Sequence, residues 1–249
     1  RGRKAFGMYS FYIEKFLSGM KHVEFQVLAD KHGNVIHLGE RDCSVQRRFQ
    51  KLIEEAPCPI VSPFIRMKMG AAAIDVALAL QYAGALTVEF FYFPETRTFY
   101  FNEINSRLQV EHCVTEMVTG FDIVREQIRI AAGDELSIHQ DDVFMKKHAL
   151  ECRINAEDAR RRFLPSPGRI DRLRLPHGMG IRIDEGIYEG YLFPIHYDSL
   201  MLKLMSVGET REEAIARMQR ALGELKTEGV KTTVPFHHAV LEDEDFRCG

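Results

Sequence analysis

Glu89 and Glu103 are the residues whose spacing points most directly to chemistry. They stand in two aromatic runs, Thr87 to Phe93 and Thr98 to Glu103, that flank Pro94-Glu95-Thr96-Arg97, a pattern that predicts an antiparallel hairpin. Centring its loop on Thr96 sets Glu89 opposite Glu103. Facing residues hold their Cβ atoms roughly 4.5–5.5 Å apart. Carboxylates about 4 Å apart repel by roughly 4 kcal/mol at an effective dielectric of about 20, so the pair calls for a neutralising partner. Mg²⁺ (or Mn²⁺) suits it, being a hard cation that takes oxygen ligands and is held by one or two carboxylates together with substrate phosphates. Asn105 can add a neutral oxygen. The competing reading is a solvated hairpin whose acids face water or pair with lysines.

From Glu103 to Glu111 every odd-numbered residue (Glu103, Asn105, Arg107, Gln109, Glu111) is polar, while Ile104, Leu108 and Val110 fall on even positions. An extended chain sends alternate side chains to one face. That face would begin with metal-type oxygens, continue with a guanidinium and an amide, and end with another carboxylate. The order suits a grip on a planar oxyanion beside a general base. A structural ladder of ion pairs fits the same spacing.

The segment Glu40 to Lys51 carries four cations in twelve residues. These could bind phosphate, pair with Asp42 and Glu54, or solvate a loop. Nucleic acid is a poor fit, because one short basic run without a stacking platform sits in a chain of net charge −3.

Several elements must position these groups. Val23 to Leu28 alternates apolar and polar, Asp30 to Asn34 supplies turn residues and Val35 to Leu38 resumes, which predicts a hairpin. Phe11 to Leu17 has strand composition. Ser62-Pro63 caps an Ala-rich helix over 64–82 that Gly84 ends, and a second helix runs from about Asp122 to Ala132 and stops at Gly133. The polar residues through Asp142 suggest a joint. Beyond His148, strand-like runs at 149–154, 180–183 and 200–207 precede a capping box, Thr210 to Glu213, that opens a helix ending near Gly229. The sum is an α+β architecture.

Length allows one large or two ordinary domains in 249 residues. The 33 basic and 36 acidic side chains nearly cancel, so no overall field recruits nucleic acid or an anionic membrane. No run reaches bilayer-crossing length and no signal-peptide core follows the N-terminus, so a cytoplasmic protein is expected, with a mitochondrial address left open. The five cysteines are widely spaced, without a Cys-x-x-Cys unit, and read as reduced thiols.

Taken in order, IEKFL, HVEFQVLAD, ERDCSVQRRFQKLIEEAP, VEF, FNEINSRLQVEHCVTEMVTG and ALECRINAED resemble biotin carboxylase, the ATP-grasp component of acetyl-CoA, propionyl-CoA and pyruvate carboxylases. The resemblance spans nearly the whole chain. Its most specific part runs from Glu103 to Gly120, because related ATP-grasp ligases share the metal carboxylates but not the RLQVEH-type stretch.

The resemblance implies a magnesium site at Glu89 and Glu103 with Asn105 beside them. It implies a bicarbonate pocket of Lys51, Arg107, Gln109 and the backbone of Val110, with Glu111 as the base that deprotonates bicarbonate and Arg153 as the cation that stabilises the biotin enolate. Glu14, Lys15 and Leu17 match an adenine-side strand, and His22 and Gln46 match residues lining the ATP site. Phe49 stands where many members have a polar side chain near the nucleotide, and Met179 and Arg182 fall in the family's dimer-forming region. The implied fold is the second half of an ATP-grasp domain over 1–133, mostly antiparallel, followed by a biotin carboxylase C-terminal domain over 134–249. Implied partners are a biotin carboxyl carrier protein, a carboxyltransferase and a second copy of the chain. The family's N-terminal domain and glycine-rich lid have no counterpart here, so the chain is expected to be a fragment, inactive alone. A non-catalytic dimerisation module and another carboxylate–amine ATP-grasp ligase remain alternatives.

Overall fold

The computed structural model describes Ile13 and residues 15–249. The strand expected at Phe11 to Leu17 falls largely outside them, Glu14 included, and Lys15, Phe16 and Leu17 belong to no regular element.

The centre of the molecule is one eight-stranded sheet. Its strands, in chain order, are β1 (Lys21–Ala29), β2 (Val35–Arg47), β3 (Gln50–Ala56), β4 (Gly84–Phe93), β5 (Thr98–Asn105), β6 (His148–Asn155), β7 (Ile181–Glu185) and β8 (Leu200–Gly208). Across the sheet they run β7-β8-β6-β3-β2-β1-β4-β5, and every neighbouring pair is antiparallel. The β3–β6 pairing joins strands from either side of the polar joint, so the sheet is continuous through it. The expected first hairpin forms as β1–β2, and Asp30 in its turn accepts backbone N–H bonds from His32, Asn34 and Leu136, which ties the turn to the joint.

Helix α1 (Pro63–Leu80) starts as its sequence dictates, with Ser62 Oγ accepting from Ile65 N and proline in the first turn. It ends earlier than expected. Gln81 adopts φ 50° and returns its N–H to Leu78 O, whereas Gly84 opens β4. Ile65, Met69, Ala73 and Ala77 bury one side of α1 against Val23, Phe25, Leu86 and Phe90. Gly70 is required at this contact, because a Cβ there would sit 2.4 Å from His37 Nε2 of β2.

Helix α2 (His112–Thr119) was not foreseen, and α3 (Ile123–Ala132) was, with Asp122 capping Arg125 N and Gly133 closing it at φ 100°. Helix α4 (Arg211–Glu224) opens with Thr210 accepting from Glu213 N, while Glu213 reaches back to Glu209 N rather than to Thr210. It stops at Glu224, not near Gly229, because Lys226–Glu228 leaves to pair with Arg172–Arg174. Helix α5 (Val234–Glu242) follows.

Strand alternation sorts the two faces of the sheet. Leu150, Cys152 and Ile154 of β6 and Leu202 and Leu204 of β8 enter an apolar cluster with Ala214 and Met218 of α4. Glu151, Arg153 and Lys203 take the opposite face, which α2 crosses.

Candidate active site

The carboxylate hairpin forms in the expected register, Glu89 facing Glu103. Its geometry holds a detail that centring on Thr96 did not specify. Phe93 pairs with Thr98 and Phe90 with Phe101, so the register shifts by one at Asn102, a bulge that supplies the residue needed to bring Glu103 opposite Glu89. Glu89 is buried and Glu103 exposed. Asn105 Nδ2 donates to Glu89 Oε1 at 3.0 Å and to Glu103 Oε1 at 3.3 Å. Turning that amide over would present Oδ1 to the same place, giving an all-oxygen donor set that fits a hard divalent cation.

Beyond Asn105 the expectation of one extended face fails. Strand β5 ends there, Ser106 to Glu111 turn away, and Glu111 becomes the N-cap residue of α2. The grouping survives by another route. Gln109 folds back so that Nε2 donates to Glu89 Oε1 at 3.1 Å, and Glu111 lies at a helix N-terminus, where the backbone dipole favours a carboxylate. Arg107 stays exposed, and among the described residues it hydrogen-bonds to Leu108 O at 3.2 Å and Asn105 Oδ1 at 3.4 Å.

Glu111 is gripped between two cations from strands β3 and β6. Lys51 Nζ donates to Glu111 Oε1 at 2.6 Å, to Glu89 Oε1 at 3.0 Å and to Glu24, while Arg153 Nη2 donates to Glu111 Oε2 at 2.8 Å and Nε to Glu54 Oε1 at 2.6 Å. Beneath them Arg41, wholly buried, reaches Glu24 at 2.7 Å, Gln26 at 2.9 Å and Thr115 at 3.0 Å. Burial disfavours charge on each cation, and the surrounding carboxylates reverse that: Glu24 and Glu111 hold Lys51, and Glu54 and Glu111 hold Arg153, well above their ordinary ranges. Glu24 is also opposed by burial, yet Arg41 and Lys51 depress it well below the carboxylate range.

Gln46 Nε2 contacts His22 Nδ1 at 3.1 Å, and His22 Nε2 lies 2.9 Å from Glu89 Oε2 without the alignment of a hydrogen bond. Burial works against a proton on His22, but Glu24 and Glu89 outweigh it and raise the imidazole to about 9. His22, Glu24 and Glu89 thus bring metal-type atoms within 4.8 Å of one another, although Lys51 already neutralises two of them.

The structure therefore gathers Lys51, Glu89, Glu103, Asn105, Gln109, Glu111 and Arg153, with His22 and Gln46 alongside. Val110 joins through its carbonyl, which accepts from Lys203 Nζ at 3.0 Å. Lys15 and Leu17 make no hydrogen bond to the group, and Glu14 lies outside the described residues. Sequence reasoning passed over Glu24, Glu151 and Lys203, and read Arg41 only as one cation of a basic segment. Charge in mid-strand was visible in each case, but it demands a partner only once the strand is buried, which the sequence does not show.

Family models divide the chain in two. "Carbamoyl-phosphate synthase L chain, ATP binding domain" matches residues 1–139 and "Biotin carboxylase C-terminal domain" matches residues 151–249. The chain belongs to the biotin carboxylase family. Biotin carboxylase 1 of Bacillus subtilis is 54% identical over 98% of this chain, and the match covers 54% of that relative. The biotin carboxylase of Haemophilus influenzae is 51% identical over 99% of this chain and 54% of its own length. The chain thus spans about half the length of the biotin carboxylase relatives it matches. Two solved biotin carboxylase domains superpose with a TM-score of 0.95 at 47% identity over 99% of the chain. One belongs to a thermophilic 2-oxoglutarate carboxylase bound to bicarbonate and covers 56% of that chain; the other is the Hydrogenobacter thermophilus 2-oxoglutarate carboxylase dimer with MgADP, ADP and bicarbonate, 54% covered. The ATP-grasp fold with its mostly antiparallel sheet is the one these domains share.

Proposed function

We propose that this chain is the part of a biotin carboxylase that activates bicarbonate with ATP and delivers the carboxyl group to biotin on a carrier protein. The observation that carries the reading is Glu111 held between Lys51 and Arg153, beside the Glu89–Glu103 pair. A base flanked by fixed cations and a hard-metal site suits a reaction in which anions must meet.

Lys51, Arg107, Gln109 and the Val110 backbone orient bicarbonate, with exposed Arg107 swinging inward to complete the pocket. Glu111 removes its proton, and the oxygen so freed attacks the γ-phosphorus of ATP as ADP departs, giving carboxyphosphate. Magnesium held by Glu89, Glu103 and Asn105 would offset phosphate charge. Carboxyphosphate breaks to CO₂ and phosphate. The ureido nitrogen of biotin yields its proton to that phosphate and bonds to CO₂, and the negative ureido oxygen is matched by Arg153, which stays charged at any relevant pH. His22, Gln46, Lys15, Leu17 and Glu14 are assigned to the nucleotide side.

We place the division between the end of an ATP-grasp domain and a C-terminal domain at 133/134; the two family models part a little later, between residues 139 and 151. A second copy docks on the surface carrying exposed Met179 and half-buried Arg182, where Arg182 pairs with Glu116 at 2.6 Å beside a cavity of about 460 Å³. Carrier protein and carboxyltransferase act on the same assembly. No helix among the described residues is long and apolar enough to cross a membrane. We infer a cytoplasmic setting, while relatives in Populus trichocarpa and Arabidopsis thaliana are named as chloroplastic.

Incorporation of labelled bicarbonate into free biotin, dependent on MgATP, tests the reading in the full-length protein. ATP cleavage stimulated by an amine acceptor and not by biotin would overturn it.

A further inference from the structure

Three buried oxygens behind Arg153 have no hydrogen-bond partner among the described residues: Glu54 Oε2 and both oxygens of Glu151. Both side chains are withdrawn entirely from solvent, at 0% exposure. They are also cross-strand neighbours, Glu54 on β3 facing Glu151 on β6, so they leave the sheet on the same face with Cβ atoms roughly 4.5–5.5 Å apart. If both were ionised, the fold would hold a buried like-charge pair with unmet acceptors, an arrangement native proteins avoid. One proton between them removes the repulsion and gives Glu54 Oε2 the donor it lacks.

We propose that Glu151 is a neutral carboxylic acid that donates its proton to Glu54 Oε2, and that this buried carboxyl–carboxylate pair positions Arg153. Glu54 Oε1 lies 2.6 Å from Arg153 Nε, and Arg153 Nη2 lies 2.8 Å from Glu111 Oε2, so the pair anchors the guanidinium opposite Glu111. The groups facing Glu151 fix where the proton rests: Glu54 from β3, Arg153 from its own strand, Lys203 from β8, and Glu111 and Cys113 from the start of α2. Neither cation hydrogen-bonds to Glu151. Lys203 is engaged by Val110 O at 3.0 Å, Cys113 Sγ at 2.9 Å and Asp184 at 3.1 Å, and Arg153 by Glu54 and Glu111. Burial pushes both carboxyls above the carboxylate range, Glu151 further, while Arg153 restrains Glu54 through a direct hydrogen bond. The charge therefore stays on Glu54 and the proton on Glu151.

The positioning role rests on the reading of Arg153 given above, whereas the shared proton does not. In the full-length protein, infrared difference spectra between wild type and Glu151→Gln should contain a protonated-carboxyl band at neutral pH, assigned to wild type. Glu151→Gln keeps a donor toward Glu54 and should retain biotin carboxylation within about twofold. Glu151→Met lacks that donor and should lose roughly tenfold, with ATP cleavage in the absence of biotin less affected. Absence of the band, or equal damage from Gln and Met, overturns the proposal. Should Glu151→Met fail to fold, the infrared comparison decides. A band present in a protein whose Arg153→Gln variant loses ATP cleavage and biotin carboxylation equally would uphold the shared proton and reject only the role given to Arg153.

Discussion

Arg153 Nη2 and Glu111 Oε2, 42 positions apart in sequence, meet at 2.8 Å across the face of the sheet that α2 covers. The contact joins the residue assigned to bicarbonate deprotonation to the one assigned to the biotin enolate. It also makes Arg153 serve two anions, Glu111 and Glu54, before any substrate arrives.

Replacing Arg153 by Gln should therefore separate the half-reactions. Biotin carboxylation is expected to fall on the order of 10²-fold, as for loss of a donor aimed at developing charge, while bicarbonate-dependent ATP cleavage falls far less. Parallel assays of ADP release and carboxybiotin formation check this; equal losses reject the assignment.

Lys51 is bonded to Glu24, Glu89 and Glu111 and is only 11% exposed in its side chain. Lys51→Met should leave three acids facing one another, at a cost of about 3–5 kcal/mol, as for removal of one partner of a buried ion pair. Denaturant unfolding of the variant measures it. A change under about 1 kcal/mol would mean that the pairs behave as surface ones.

Glu103 is exposed, so Glu103→Gln should barely alter stability yet weaken magnesium-dependent nucleotide binding by roughly tenfold or more. Calorimetric titration with MgADP, with metal and with chelator, distinguishes this from a solvated hairpin. Metal-independent binding unchanged by the substitution counts against the site.

His237 on α5 is fully buried, donates from Nε2 to Arg153 O at 2.8 Å, and leaves Nδ1 without a partner among the described residues. Desolvation lowers its folded pKa to about 4 from an ordinary value of 6.5. The unfolded chain therefore takes up the proton first as pH falls. Stability from this residue is complete above pH 6.5 and is lost progressively down to about pH 4, by up to about 3 kcal/mol. Unfolding curves of wild type and His237→Gln should converge across that window; parallel pH dependence would show that His237 is not the cause.

Much of the fold was legible because its punctuation is local. Ser62-Pro63, Asp122 with Gly133, and Thr210 with Glu213 each act within a single turn, and the structure uses all three. The alternation from Glu103 to Glu111 imitates a strand, while the chain in fact leaves the sheet at Asn105; helix α2 follows without a side-chain cap at Glu111 to announce it. Gln81 ended α1 in the left-handed conformation, where glycine is the usual residue, so no residue preference announced the stop. At the site, Glu89, Glu103 and Glu111 were visible as chemistry, but Glu24 and Glu151 read as ordinary polar positions of strands and Arg41 as one cation of a basic segment. Their charges acquire meaning only once β1, β2 and β6 are buried on both faces, a long-range outcome that no window of sequence contains.

Lys51 and Arg153 occupy adjoining strands, and the seam between β3 and β6 also lies between the two segments recognised by the family models. A polypeptide severed near residue 140 would bare the hydrogen-bonding flank of β3, an invitation to pair with strangers. Proteolysis in that stretch should therefore yield fragments that stay associated or precipitate, rather than two independently soluble halves.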